Sequence, residues 1–248
     1  MIKAVLFDGD QTLWDFERVM RDALIAVAAE LRAARPGAFT DALSWRELEQ
    51  DRAAVGEEWD GIEYNLARLR VLGFARTLER LRAAEGGDAG ADVSGDEALT
   101  LELSDSYFAH RDRDPALFAD TVSGLEVLRG RYRLGLLSNG SRLPEAVGLG
   151  GVFECVVFAQ DHRVAKPDKG IFEIVERQLG LDPDECVLVG DHLLNDVAGA
   201  KRAGWSAVWI DRDGIGEGDG FEVRPDAVVG SLHELHAVLA ALDDVRPA

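Results

Sequence analysis

The chain has 248 residues, 47% hydrophobic and 29% charged, ordinary values for a folded globular protein. Its 27 basic and 46 acidic side chains leave a net charge of −19, which gives no electrostatic footprint for nucleic acid or an anionic membrane; an anionic substrate must be met by locally placed cations. No signal region precedes the first strand and no apolar run reaches membrane-spanning length, which predicts a cytoplasmic protein with neither nucleic acid nor membrane as partner.

The first element is the apolar strand "AVLF", Ala4 to Phe7, followed at once by Asp8 and Asp10 in "DGDQT". Residues two apart in an extended segment share a face, so two like charges are aimed together, a costly arrangement unless a cation intervenes. Val19, Ala23, Leu24, Val27 and Leu31 then recur at helical spacing as far as about Arg35, where Pro36-Gly37 ends the helix. A second helical stretch carries Leu43, Leu48 and Val55, and a third carries Ile62, Leu66, Leu69, Leu78 and Leu81. The segment "EGGDAGADVSGD" has no periodicity and reads as an exposed loop. A fourth helix is predicted from Glu97 to about Arg111, and no strand signal appears anywhere in this insert. Its aromatics Trp45, Trp59, Tyr64 and Phe74 fall among apolar helical positions and are expected to pack inside it. Trp14, and His110, Arg111 and Arg113 of "HRDRDP", lie where the chain leaves and returns, as solvated linker or as substrate contacts.

Beyond Pro115 the pattern changes. A helix near Gly124–Arg129 precedes the strand "YRLGLLSN"; "CVVFAQ" is a strand, followed by a helix from Pro167 to Leu179; "CVLVGD" is a strand, followed by a helix from Leu193 to Ala203. The strands "SAVWI" and "DAVVG" close the series, and Ser231 with Glu234 forms a capping box for a last helix. Short apolar strands alternating with helices specify a parallel sheet covered on both faces. The expected fold is therefore α/β, a Rossmann-like core of residues 1–15 and 115–248 interrupted by a four-helix domain of residues 16–114. Cys155 and Cys186 both lie in apolar strands and read as buried free thiols.

In an open parallel sheet the ligand crevice lies beyond the carboxyl ends of the strands. Here those ends supply Asp8, Asp10 and Thr12; Ser138-Asn139-Gly140; Lys166-Pro167; and Gly190-Asp191 with Asp196. Acids, a hydroxyl and one of only four lysines form a set that suits a hard divalent cation beside a phosphate. Each motif alone has a plain reading: a turn, a surface lysine, acids favouring a helix N-terminus. A calcium loop at "DGDQT" fails, because Leu13 and Val19 stand where glycine and glutamate are needed. It is the ordered recurrence at successive strand ends that argues for a site.

The series "FDGDQTL", "LLSNG", "AKPDKGIF" and "VGDHLLNDVAGAKRAGWSAVWI" resembles the haloacid dehalogenase-like (HAD) hydrolase superfamily, with the helical insert where that superfamily carries its first-type cap. The resemblance implies a magnesium-dependent phosphatase that hydrolyses a small phosphorylated metabolite through an aspartyl-phosphate. Asp8 is then the nucleophile, Asp10 the general acid and base, and Lys166 the group that offsets phosphate charge and orients Asp8. Ser138 and Asn139 bind phosphoryl oxygens, and Mg²⁺ is held by Asp8, the Asp10 carbonyl, Asp191 and Asp196. The sequence departs from the family at Gln11, where glycine or a small or acidic residue is usual, and at "AQDH", where a serine–glutamate pair is common. The acid at Asp10 sets it apart from dehalogenating relatives, which lack one there, and a lysine-free insert excludes Schiff-base chemistry from that region. A sugar phosphomutase or other phosphotransferase, or a non-catalytic binding relative, shares the same motifs.

Overall fold

The structure is a computed structural model, which describes residues 1–59, 62, 65–86, 94–114, 116–216 and 223–245. The chain divides into two compact units, Met1–Phe16 with Pro115–Ala248, and Glu17–Asp114.

The first unit is built on β1 (Ala4–Phe7). After the insert the chain forms α6 (Thr121–Leu128), β2 (Arg133–Ser138), β3 (Cys155–Phe158), α7 (Ala159–His162), α8 (Lys169–Leu179), β4 (Cys186–Gly190), a π-helical turn Leu193–Ala198 that runs into α9 (Gly199–Ala203), β5 (Ser206–Ile210), β6 (Ala227–Val229) and α10 (Leu235–Val245). The six strands form one sheet in the order β3-β2-β1-β4-β5-β6, and every neighbouring pair is parallel. This is an α/β doubly wound order whose direction reverses between β1 and β4, so the crevice at their carboxyl ends is where the topology places a ligand. Val5, Phe7, Leu134, Leu136, Val187, Val189, Val208 and Ile210 join Leu125, Leu128, Leu235 and Leu239 of α6 and α10 in one core. Leu6, Leu188 and Ala207, which alternate to the other face, are equally buried.

The carboxylate of Asp120 ties the ends of this unit together. It accepts the Leu232 N–H (2.7 Å), the Ser231 hydroxyl (2.9 Å) and the Arg212 guanidinium (3.1 Å). Burial alone would raise this carboxyl, but the Leu232 N–H and Arg212 hold it below the usual carboxylate range. The expected capping box is altered accordingly. Ser231 Oγ accepts the His233 N–H, while Glu234 accepts from Gly230 instead of Ser231, and a 3₁₀ turn, Leu232–Glu234, precedes α10. Two further boundaries differ from expectation. Ala159 and Gln160 open α7 instead of extending β3, and residues Leu193 to Ala198 form a wide π turn where a regular helix was expected.

The second unit holds α1 (Phe16–Ala34, entered from the first unit), α2 (Ala38–Ala42), α3 (Trp45–Glu58), α4 (Leu66–Ala84) and α5 (Ser94–Arg111). Among the described residues it contains no strand. Leu24, Val27, Leu31, Phe74, Leu78, Leu81, Leu103 and Tyr107 form its core. The single second stretch read from the sequence is broken before Ser44, whose N–H and hydroxyl both donate to Glu47 Oε2 (2.9 and 3.0 Å) and start α3 afresh. Ile62 lies ahead of α4, which begins after Asn65 accepts the Arg68 N–H. Helix α5 starts three residues earlier than expected, with Asp96 in its first turn paired to Arg35 and Arg82. Phe74 is buried and Trp45 packs against the core, but Trp59 is half exposed. Tyr64, Pro115 and most of the Gly/Asp segment lie outside the described residues. No helix among the described residues is long and apolar enough to cross a membrane.

Gly135 of β2 pairs with Leu6 of β1, and a Cβ there would stand 2.1 Å from Leu6 Cδ1 and 3.1 Å from the Cys155 carbonyl. Gly135→Ala is expected to overpack the sheet and cost about 1–3 kcal/mol, read as a fall in melting temperature of roughly 2–4 °C per kcal/mol.

Candidate active site

The carboxyl ends of β1, β2 and β4 and the Lys166 loop enclose a pocket of about 180 Å³ lined by Asp8, Asp10, Gln11, Asn139, Gly140, Lys166, Asp191, His192, Asn195 and Asp196.

Lys166 is at its centre and is no surface lysine, being 3% exposed. Its ammonium donates to Asp8 Oδ1 (2.6 Å) and the Leu137 carbonyl (2.8 Å), and stands 2.7 Å from Asp196 Oδ1. Burial disfavours its charge, but the carboxylates of Asp196 and Asp8 outweigh that and hold it firmly protonated. The Asn139 side chain grips the lysine backbone in both directions: Nδ2 donates to the Lys166 carbonyl and the Lys166 N–H donates to Oδ1, each at 2.9 Å. Asn139 thus positions Lys166 with its amide while lining the pocket. Ser138, buried at the end of β2, accepts the Gly140 N–H on its hydroxyl (3.0 Å).

Asp8 follows β1, and its N–H donates to the Val189 carbonyl of β4 (2.9 Å). Burial pushes its carboxyl up; Lys166 pulls it down, and Asp196, Asp10 and Asp191 push it up again, leaving it well above the usual range. Asp191 is pushed up to about 7, by burial first and then by Asp196. Asp196 reaches the site because residue 190 is glycine: a Cβ there would lie 2.3 Å from the Asp196 carboxyl carbon. Its Oδ2 accepts the His192 N–H (2.9 Å), while Oδ1 faces the Lys166 ammonium. One carboxylate oxygen from each of Asp8, Asp191 and Asp196 lies within 4.8 Å of the others. Three hard oxygen donors gathered at one point of the pocket fit a magnesium-type ion.

Asp10 lines the same pocket but belongs to a different set of contacts. β1 ends at Phe7, so the strand geometry that would align Asp8 with Asp10 does not reach them, and a turn at Gly9–Gln11 brings them together instead. Gln11 has φ 59°, the left-handed region, which explains why glycine suits that position. The indole N–H of Trp14 donates to Asp10 Oδ1 at 2.6 Å. Trp14 is fully buried and is therefore neither linker nor substrate contact. Thr12 is also buried away from the pocket; its carbonyl accepts from Arg212 (2.6 Å). His110 and Arg113 bond to each other, and His110 to Glu30, inside the second unit. Sequence reasoning missed the roles of the Trp14, His192 and Asn195 side chains; the indole seven residues past the end of β1 was visible but carried no sign of which way it faced.

The family model for haloacid dehalogenase-like hydrolases matches residues 2–204. N-acylneuraminate-9-phosphatase of Homo sapiens is 29% identical over 251 residues, covering 98% of this chain and 95% of that protein. Glyceraldehyde 3-phosphate phosphatase of Methanopyrus kandleri is 31% identical over 253 residues, covering 99% and 98%. The solved structure of a 2-haloacid dehalogenase from Pseudomonas syringae pv. Tomato DC3000 superposes with a TM-score of 0.76 at 29% identity, covering 97% of this chain and 99% of that one.

The raised Asp191 carboxyl gives the metal-free protein a pH signature. The folded state holds this proton up to about pH 7, whereas the unfolded chain releases it near about 4. Across that interval the folded state binds more protons, so Asp191 makes stability fall as pH rises. With chelator present, Asp191→Asn is expected to flatten the decline in melting temperature between about pH 4 and 7, measured by calorimetry.

Proposed function

This chain belongs to the haloacid dehalogenase-like hydrolase family, and from that premise we propose that it is a magnesium-dependent phosphatase that hydrolyses a small phosphorylated metabolite through an aspartyl-phosphate on Asp8. The observation that carries the reading is the split of two carboxylates two residues apart: Asp8 is bound to a buried ammonium, Asp10 to a neutral indole N–H. The two relatives at about 30% identity are both named as phosphatases, of different small phosphate esters.

In the first step a carboxylate oxygen of Asp8 attacks phosphorus in line with the leaving oxygen, and Asp10 gives that oxygen its proton. Lys166 fixes the Asp8 rotamer and offsets the charge of the entering phosphate. The Ser138 hydroxyl and the N–H groups of the turn that follows cradle the phosphoryl oxygens at the end of β2. Asp10, now a carboxylate, then takes a proton from the water that hydrolyses the acyl phosphate. Asp8, Asp191 and Asp196, with the Asp10 carbonyl, would hold Mg²⁺, which when bound would supply charge neutralisation for the transferring group. The surrounding carboxyls have to shed protons for that, which links activity to Asp191.

A dehalogenase is the reading suggested by the name of the Pseudomonas syringae structure. Asp10 speaks against it, because displacement of a halide needs no proton for the leaving group. A phosphomutase would share Asp8, Asp10, Lys166 and Asp191, and would show itself by returning an isomerised phosphate ester instead of free phosphate.

The test is hydrolysis of an aryl phosphate. Turnover is expected with Mg²⁺, none with chelator, and Asp8→Asn should lower kcat by about 10³-fold or more with an unchanged circular dichroism spectrum. Chelator-insensitive turnover, or an active Asp8→Asn protein, overturns the reading; release of chloride from a 2-haloacid would replace it.

A further inference from the structure

We propose that Trp14 is a positioning residue for Asp10, whose indole N–H occupies Oδ1 and so assigns the transferable proton to Oδ2. The inference rests on the reading of Asp10 as the general acid and base and concerns how that carboxyl is aimed.

The contact is short, 2.6 Å from Nε1 to Oδ1. An indole nitrogen donates and never accepts, so Oδ1 is an acceptor whether the carboxyl is ionised or neutral. In the neutral acid the carbonyl oxygen is the better acceptor, and the hydroxyl is therefore Oδ2. That oxygen faces the β2 turn: a Cβ on Gly140 would stand 2.7 Å from it. Gly140 begins the turn that follows Ser138, where the phosphoryl oxygens are cradled in the reading above. The proton is thus carried on the face of Asp10 that looks toward the transferring group, and the other face is closed by the indole.

The indole has no room to swing away. Trp14 is 0% exposed and belongs to the core around Phe7 and Leu13. Its carbonyl accepts the Gln11 N–H (2.8 Å), its own N–H donates to the Gly9 carbonyl (3.3 Å), and its backbone bridges to Leu117. The ring lies against Gly9 so closely that a Cβ there would be 2.4 Å from it. The turn between the nucleophile and the acid is thereby locked to the tryptophan that orients the acid.

The chemistry balances on one carboxyl oxygen. As the bond from Asp8 to phosphorus forms and the bond to the ester oxygen breaks, the Oδ2 proton passes to the departing alkoxide. In the second half, water attacks phosphorus, Oδ2 takes its proton, and the Asp8–phosphorus bond breaks. Ester and water become alcohol and phosphate, and Asp10 ends protonated as it began.

A role in aiming a proton depends on how badly the leaving group needs one, and a packing role does not. Turnover is measured for phenyl phosphates graded from dinitrophenol to unsubstituted phenol, with Mg²⁺, for the wild type, for Trp14→Phe, and for a protein carrying 3-benzothienylalanine at position 14, which keeps the indole shape without the N–H. Both altered proteins are expected to lose about 10- to 100-fold in kcat/KM on phenyl phosphate, part of the 10²–10⁴ that general acid catalysis supplies. The loss of kcat/KM on dinitrophenyl phosphate should stay below about threefold, because kcat/KM reports the step in which the leaving group departs and that leaving group departs without a proton. A loss uniform across the series, or no loss with benzothienylalanine, overturns the inference while leaving the phosphatase reading intact. A wild type that hydrolyses none of the series removes that reading and this inference together.

Discussion

Charge balance around one buried ammonium organises the core unit. The three N–H bonds of Lys166 face Asp8, Asp196 and the Leu137 carbonyl, all within 2.8 Å, so the lysine is fully committed. Asp191 stands beside this group without an ammonium of its own, and burial with the neighbouring Asp196 charge pushes it up to about 7. A lone buried charge would be expelled or neutralised; here carboxylates outnumber the ammonium, and the surplus takes up protons or a cation. In a chain of net charge −19, the place built to receive an anion has one lysine and a set of acids. Binding a phosphate there makes physical sense only with a further positive charge supplied to those acids, which is why the donor set and the proposed substrate imply one another.

The sheet brings these groups together because it is parallel, and glycine lets them close. All the strands deliver their carboxyl ends to the same edge, so Asp8 after β1, the Ser138 turn after β2 and Asp191 after β4 arrive without any long-range pairing of the side chains. What remains is a matter of ångströms. Gly190 gives Asp196 the space a side chain would fill, Gly140 does so for Asp10, and Gly9 does so for the Trp14 ring. The π turn over Leu193–Ala198 belongs to the same economy of space. The Asp196 N–H and the Val197 N–H both reach the His192 carbonyl, and the Asp196 carboxylate returns to the His192 N–H, so the acid caps the widened turn that presents it.

The order of elements and the grouping of Asp8, Asp10, Lys166, Asp191 and Asp196 could be read from the sequence because each sits at a change of pattern, an apolar run ending in a polar residue. Periodicity reports which residues are buried and not what they bond to, and the surprises follow from that. Asn139 was read as a phosphate ligand from its place after β2, and nothing in that place announced that its amide also holds the Lys166 backbone by a donor and an acceptor. Six residues are too few to separate a π turn from an α-helix by spacing. The break before α3 was present in the sequence as Ser44 and Glu47, a capping signal hidden under an apolar repeat that ran across it. Trp59 occupied an apolar helical position and is nevertheless half exposed, since it lies at the end of α3, past the last turn packed on the core.

The division of labour between two neighbouring acids is the least legible feature and the most consequential. Identical side chains two residues apart gain different chemistry only from what they touch. A carboxylate against an ammonium gains from being charged, and loses that gain when protonated. A carboxyl held by an N–H on one oxygen keeps that bond in both states, because the acceptor is the oxygen that carries no proton. Asp8 is in the first situation, although burial and the neighbouring acids keep its carboxyl raised until a cation offsets them, and Asp10 is in the second. On the proposed reading the first is what a nucleophile requires and the second what a proton carrier requires. Neither partner adjoins its acid in sequence: Lys166 arrives from 158 residues away, and Trp14 reaches back four residues across a turn locked by Gly9.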